Sequence, residues 1–211
     1  MTVKTFIFNP VQENTYIVFD QTREAVIIDA GCISENEYRQ IDSFIEHNNL
    51  TIKHLINTHS HFDHILGNKY ISEKYSVQPE ANAGDEFMIA SLNETLQNFG
   101  MPLRAESQPI GTYLTEQHTI QFGNSEFKIL HVPGHSPGSL CFYSEADGIL
   151  FSGDVLFRGT IGRTDLPTGD YNTLINSIQQ KLLPLPDPTI VYPGHGAPTT
   201  IGEERENNPF L

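Results

Sequence analysis

The amino-acid sequence predicts an α/β (α+β) protein in which β-sheets are sandwiched between outer helices. Three observations predict it. Short runs rich in β-branched and aromatic residues recur along the 211 residues, set apart by turn residues. Stretches with helical spacing of apolar residues are spread among those runs rather than gathered at one end. Polar clusters containing His or Asp follow apolar strands directly, at positions where loops carry chemistry on a rigid scaffold.

Residues 3–8, 15–19 and 25–29 read as strands, separated by turns such as Asn9-Pro10 and Asp20-Gln21. Tyr38, Ile41, Phe44 and Ile45 recur on one face and predict a helix over 35–48. Residues 52–56 form a compact apolar strand that ends abruptly in Asn57-Thr58-His59-Ser60-His61-Phe62-Asp63-His64, and a second helix is expected to run on through Tyr75. Over 84–100 the pattern is helical again, with Phe87, Met88, Leu92, Leu96 and Phe99 as the apolar stripe. Residues 101–114, which include Pro102 and Pro109, read as irregular loop. Strands resume over 118–122, 127–132, 139–143 and 149–152. A helix over 171–182, a last strand over 189–192 and a Gly/Pro-rich tail complete the chain.

Composition narrows the function classes. A net charge of −14 argues against a nucleic-acid partner, because phosphate binding needs clustered Lys and Arg. No run of eighteen apolar residues occurs, so no membrane span is expected. The start, Met1-Thr-Val-Lys-Thr-Phe-Ile-Phe, lacks the features of a secretory signal, so the expected location is cytoplasmic. Two cysteines, Cys32 and Cys141, make no disulfide framework and are expected to be ordinary reduced thiols.

The strongest chemical signal is His59-x-His61-x-Asp63-His64, three imidazoles and a carboxylate in six residues. Such borderline donors suit zinc or a similar divalent ion. In extended backbone residues 59 and 61 point the same way, so one ion can be gripped by both. Asp63 and His64 fall where the chain turns into a helix and can reach a second ion. Four donors this close would crowd one tetrahedral site, so two ions fit better. Three further donors follow strand ends: His135 in Val132-Pro-Gly-His, Asp154 in Leu150-Phe-Ser-Gly-Asp, and His195 in Tyr192-Pro-Gly-His-Gly. Glycine at each junction lets the backbone approach closely.

This set, His59-x-His61-x-Asp63-His64 with His135, Asp154 and His195, resembles the metallo-β-lactamase superfamily over nearly the whole chain. The resemblance implies that His59, His61 and His135 bind a first metal and that Asp63, His64 and His195 bind a second. It implies that Asp154 bridges both ions together with a water or hydroxide. The implied fold is the four-layer αβ/βα sandwich, and residues 1–211 are expected to form one domain. Within the superfamily the chain most resembles glyoxalase II-like hydrolases of a short bacterial type. The stretches that carry this likeness are Ser152-Gly-Asp-Val-Leu-Phe, Gly162-Arg-Thr-Asp-Leu-Pro, Tyr192-Pro-Gly-His-Gly and Asn207-Asn-Pro-Phe-Leu. Only sixteen residues follow His195, so the helical C-terminal domain of classical glyoxalase II is expected to be missing. Arg163 matches a basic residue of that family's thiol-binding loop, but the tyrosine two positions on is replaced by Asp165.

The expected activity is hydrolysis of a small-molecule acyl thioester by a metal-bridging hydroxide, with Asp63 and Asp154 as catalytic residues. The expected cofactors are two divalent ions, zinc first, with iron or manganese as alternatives. Arg163 either binds a substrate carboxylate or closes its loop through a salt bridge to Asp165 or Asp170. Asp29 either orients a ligand histidine or caps a turn. His47, His54, His118 and His131 are expected to be structural, and Tyr16, Tyr143 and Tyr192 to belong to the core or rim. Two readings compete: a mononuclear iron persulfide dioxygenase using His59, His135 and Asp154, and a non-enzymatic metal-binding module. The sequence does not determine the oligomeric state.

Overall fold

The computed structural model, covering residues 1–211, is built on two six-stranded sheets. Strands β1 (Thr2–Phe8), β2 (Glu13–Phe19) and β3 (Glu24–Ile28) form an antiparallel meander. The capped helix α1 (Glu35–Asn48) then crosses over to β4 (Thr51–Ile56), which lies parallel to β3. Ser34 accepts from the Glu37 N–H while Glu37 reaches back to the Ser34 N–H, and Asn49 ends the helix in the left-handed region. Helices α2 (Phe62–Ile65) and α3 (Asn68–Tyr75) lead to β5 (Pro79–Ala81). After α4 (Glu86–Ala90) and α5 (Leu92–Asn98), β6 (Thr112–Tyr113) completes the first sheet, in the order β1-β2-β3-β4-β5-β6.

The second sheet starts with the antiparallel strands β7 (Thr119–Phe122), β8 (Ser125–His131), β9 (Leu140–Ser144) and β10 (Ile149–Gly153). A small hairpin, β11 (Leu156–Phe157) with β12 (Thr160–Ile161), precedes α6 (Tyr171–Ser177), which runs into a single π-helical stretch, Ile178–Leu182. Strand β13 (Ile190–Pro193) returns parallel to β10, and β14 (Thr199–Thr200) and α7 (Ile201–Asn207) close the chain. The order is β14-β13-β10-β9-β8-β7.

Strand alternation builds the layers. Val26 and Ile28 point between the sheets and meet Phe127, Phe142 and Phe151, whereas Ile27 points outward against Ile41, Ile45 and Ile71 of α1 and α3. On the other side Cys141, Leu150 and Val191 face Leu174, Ile178 and Ile201. Helix, sheet, sheet and helix are therefore stacked as the resemblance implied. Cys32 and Cys141 are buried in opposite outer layers, and both are free thiols. No helix is long and apolar enough to cross a membrane.

Three expectations need correction. The helix expected to reach Tyr75 breaks at Gly67, whose N–H donates to the Ala30 carbonyl at 2.6 Å and where any Cβ would strike Cys32 Sγ. The helix over 84–100 breaks at Ser91, which splits its stripe: Leu92 and Leu96 are buried, but Phe87 and Phe99 remain about half exposed. The loop over 101–114 ends in β6. The Gly/Pro-rich tail contains α7, which Thr200 caps by accepting from the Glu203 N–H at 3.2 Å.

Candidate metal centre

All seven predicted donors converge at one edge of the sandwich, the first sheet supplying four and the second sheet three. His59 and His61 lie on extended backbone beyond β4, and α2 turns at once so that Asp63 and His64 face the same space. His135 follows β8, Asp154 follows β10 and His195 follows β13. Gly194 lets the last of these strands approach, since a Cβ there would collide with Asp154 Oδ1 and His64 Cε1.

The donors form two groups. His135 Nε2 lies 3.3 Å from His59 Nε2 and 2.9 Å from His61 Nδ1. Three ring nitrogens thus meet around one point. In the second group Asp63 Oδ2 is 3.1 Å from His195 Nε2 and 3.6 Å from His64 Nε2. Asp154 stands between them: Oδ1 is 3.4 Å from His64, and Oδ2 is 3.6 Å from His195 and 3.8 Å from His135.

Outer partners fix the rings. His135 Nδ1–H donates to the Arg163 carbonyl at 2.8 Å and His195 Nδ1–H to the Gln12 carbonyl at 3.2 Å. His64 Nδ1 meets Asp29 Oδ2 at 3.0 Å. The Thr58 hydroxyl donates to the same carboxylate at 2.6 Å and faces His59 Nδ1 at 3.1 Å. Four histidines therefore aim Nε2 inward with Nδ1 committed outward, the arrangement that metal-ligating imidazoles require. Of the two roles open for Asp29, it orients His64, and it also receives the Thr58 N–H at 2.7 Å.

Protonation separates the groups. Burial, reinforced by the neighbouring imidazoles, holds His59 far below the usual histidine range and His61 at about 4. Both are neutral, the form that binds a cation. Burial also opposes charge on His64, but Asp154, Asp63 and Asp29 outweigh it and raise that group. Asp154 is lowered in return: burial resists ionisation, and His64 overcomes it.

Two buried atoms, His64 Nε2 and Asp154 Oδ1, have no hydrogen-bond partner. Burying such atoms unpaired costs free energy that a cation between them would recover. Neutral imidazoles in van der Waals proximity, orphaned donor atoms and oriented rings together fit divalent ions.

A cavity of about 640 Å³ opens onto the donors, walled by Phe62, Phe87, Met88, Phe99, Phe157 and Arg163 among others. The Arg163 guanidinium binds both oxygens of Asp165 at 2.7 Å, so its partner is Asp165, while Asp170 caps α6. Hydrogen bonding from Arg163 pulls the Asp165 carboxyl down to about 2. His54, His118 and His131 bond elsewhere, to Glu80, Thr115 and the Pro137 carbonyl. Tyr16 is buried and its hydroxyl donates to the Pro193 carbonyl at 2.6 Å, bracing the His195 loop.

Sequence reasoning missed Asp85. It is buried and accepts from the Ser60 N–H at 3.2 Å, the Ser136 hydroxyl at 2.7 Å and the Gly138 N–H at 2.6 Å. It thereby joins the loop of His59 and His61 to the loop of His135. Asn14 was missed too: its amide donates to the Pro193 and Gly196 carbonyls around His195. Neither carries a local signal, because each acts across a long stretch of sequence.

The chain resembles known proteins along its whole length. The family model described as the metallo-beta-lactamase superfamily matches residues 8–195, and the chain belongs to that superfamily. It is 39% identical over 212 residues to a hydroxyacylglutathione hydrolase, GloC, of Haemophilus influenzae, covering all of this chain and 98% of that one. Among solved structures it resembles the BLEG-1 B3 metallo-beta-lactamase, with 37% identity, a TM-score of 0.90 and coverage of 100% and 99% of the two chains. It also resembles TTHA1623 in a di-iron-bound form, with 35% identity, a TM-score of 0.86 and full coverage of both chains.

Proposed function

We propose that this superfamily member is a binuclear thioester hydrolase of the glyoxalase II-like kind, with residues 1–211 working as one domain. His59, His61 and His135 would hold one divalent ion, Asp63, His64 and His195 the other, and Asp154 both. Imidazole and carboxylate donors favour zinc, and the di-iron form of a relative keeps iron, beside manganese, among the metals to assay. The similarity to a hydroxyacylglutathione hydrolase supports a small acyl thioester as substrate. One observation carries the reading: the Asp154 oxygens face ring nitrogens of both groups, at 3.4 to 3.8 Å. A carboxylate so placed serves a pair of ions better than a single one.

Bound divalent ions would supply Lewis acidity, making a water nucleophilic near neutral pH and polarising an acyl carbonyl. The side chains govern what reaches that chemistry. Asp29 holds His64, and the Arg163 carbonyl holds His135, so the donors keep their geometry as charge develops. Asp63 Oδ2, ionised against His64 and His195, would orient the proton of the attacking water. The apolar wall would lie against a bound acyl thioester. No cysteine nucleophile is required; both thiols are buried and burial raises them. The open cavity supports catalysis over a closed structural site.

Metal analysis coupled to turnover of a thioester panel, S-lactoylglutathione included, tests the proposal. Two ions per chain with thioester hydrolysis is the expected result. One iron per chain with oxygen uptake on glutathione persulfide would replace the hydrolase with an oxygenase of the same fold.

A further inference from the structure

The wall that α4 and α5 give the cavity carries unclaimed polar groups between its aromatic rings. Leu92 and Leu96 turn one side of α5 into the core. Ser91, Thr95 and Asn98, spaced four and three residues apart, share a neighbouring face, and all three line the cavity with Phe87 and Phe99. The Ser91 hydroxyl is spent on the Phe87 and Met88 carbonyls, each at 3.2 Å. The Thr95 hydroxyl and the Asn98 carboxamide are left free within the chain.

The same helix shows what such a carboxamide can hold. On the far side of α5, Asn93 clasps the backbone of Ala105, donating to its carbonyl and accepting from its N–H, both at 3.0 Å. Asn98 offers an identical donor and acceptor pair to the cavity. Its backbone is fixed by the end of the helix: Gly100, at a φ of 67°, donates its N–H to the Gln97 carbonyl at 3.0 Å, and the Met101 N–H reaches the Leu96 carbonyl at 2.9 Å. A group placed before its ligand arrives binds with less ordering cost. Neutral donors and acceptors flanked by Phe87 and Phe99 suit a backbone amide, which is polar, uncharged and flat.

We propose that Asn98, assisted by Thr95, is a specificity-determining residue that clasps the backbone amides of a peptidyl thiol arm, as Asn93 clasps Ala105. The inference rests on the thioester reading above. The donor groups take the acyl end, and α5 takes the amides of the arm. A clasp of two neutral hydrogen bonds is worth about tenfold in binding, and the single Thr95 hydroxyl about threefold.

Two thioesters of one acyl group separate the arm from the chemistry. S-lactoylglutathione carries backbone amides, and S-lactoyl-2-mercaptoethanol carries none. With the metal-loaded full chain, Asn98→Leu is expected to lower the ratio of their kcat/KM values about tenfold, through the KM of the glutathione ester. Thr95→Val should lower the same ratio about threefold. Asn98 is exposed, so its replacement leaves the fold intact. S-acetonylglutathione, a thioether that hydrolysis cannot cleave, should bind the Asn98→Leu chain about tenfold more weakly by calorimetry. An unchanged ratio, whether both esters lose equally or neither loses, overturns the proposal, as does unchanged binding of the thioether. Absence of turnover of both esters overturns the functional reading instead, and the calorimetric comparison still decides the role of α5.

Discussion

The two donor groups stand side by side yet differ in kind. His59, His61 and His135 make a cluster of imidazoles in which burial keeps His59 and His61 unprotonated. Asp63, His64 and His195 make a charged cluster, in which carboxylates raise the histidines and are lowered by them. The side chains of His59 and His135 are almost fully buried, whereas that of His195 is 27% exposed. The difference teaches that adjacency does not make the sites equivalent. One offers imidazoles alone, and the other joins a carboxylate to two imidazoles, one of them partly open to water.

The largest effect should come from the residue both groups share. Asp154→Asn is expected to lower thioester turnover by more than about 100-fold, since losing an outer partner alone costs 10–100-fold. Mass spectrometry of metal content alongside turnover checks it, and full activity with two ions retained would separate Asp154 from the centre. Next come the supports. Asp85→Asn touches the loops of the imidazole cluster alone and should weaken that ion by about tenfold or more. Asp29→Asn touches His64 directly and His59 through Thr58, so it should weaken both. Ion-by-ion titration reads the contrast. Stepwise chelation sharpens it further: an ion beside the partly exposed His195 should leave first, visible as a one-ion plateau.

The smallest effect lies outside the centre. His54 donates to Glu80 at 2.6 Å and meets the Gln121 carbonyl at 3.0 Å, linking the two sheets. Burial works against its charge, but Glu80 prevails and raises it. A raised folded value means its stabilisation is complete below the ordinary histidine range and is lost as pH climbs through the folded value. Melting temperatures should therefore fall slightly on raising pH above neutrality, by about 1 kcal/mol or less of stability. His54→Gln should flatten that dependence.

How much of this was legible in sequence follows from distance along the chain. His59 to His64 share one strand end and one helical turn, so alternation alone predicts their common direction. His135, Asp154 and His195 were legible because each ends an apolar strand beside a glycine. Asp85 and Asn14 were not, because their partners lie at Ser136 and Pro193, far away in sequence. Phe87 and Phe99 share helical spacing with Leu92 and Leu96, and only the break at Ser91 turns them from core to cavity wall. Strands as short as β5 and β6 offer too few residues for alternation to register.

Donors drawn from both sheets give the centre a mechanical meaning. Any cation seated among them acts as a rivet through the sandwich, and the chain cannot open without releasing it. Ligand occupancy at 100 times the dissociation constant adds about 2.7 kcal/mol to such a fold. Free metal in the surroundings would thereby be written into the melting point.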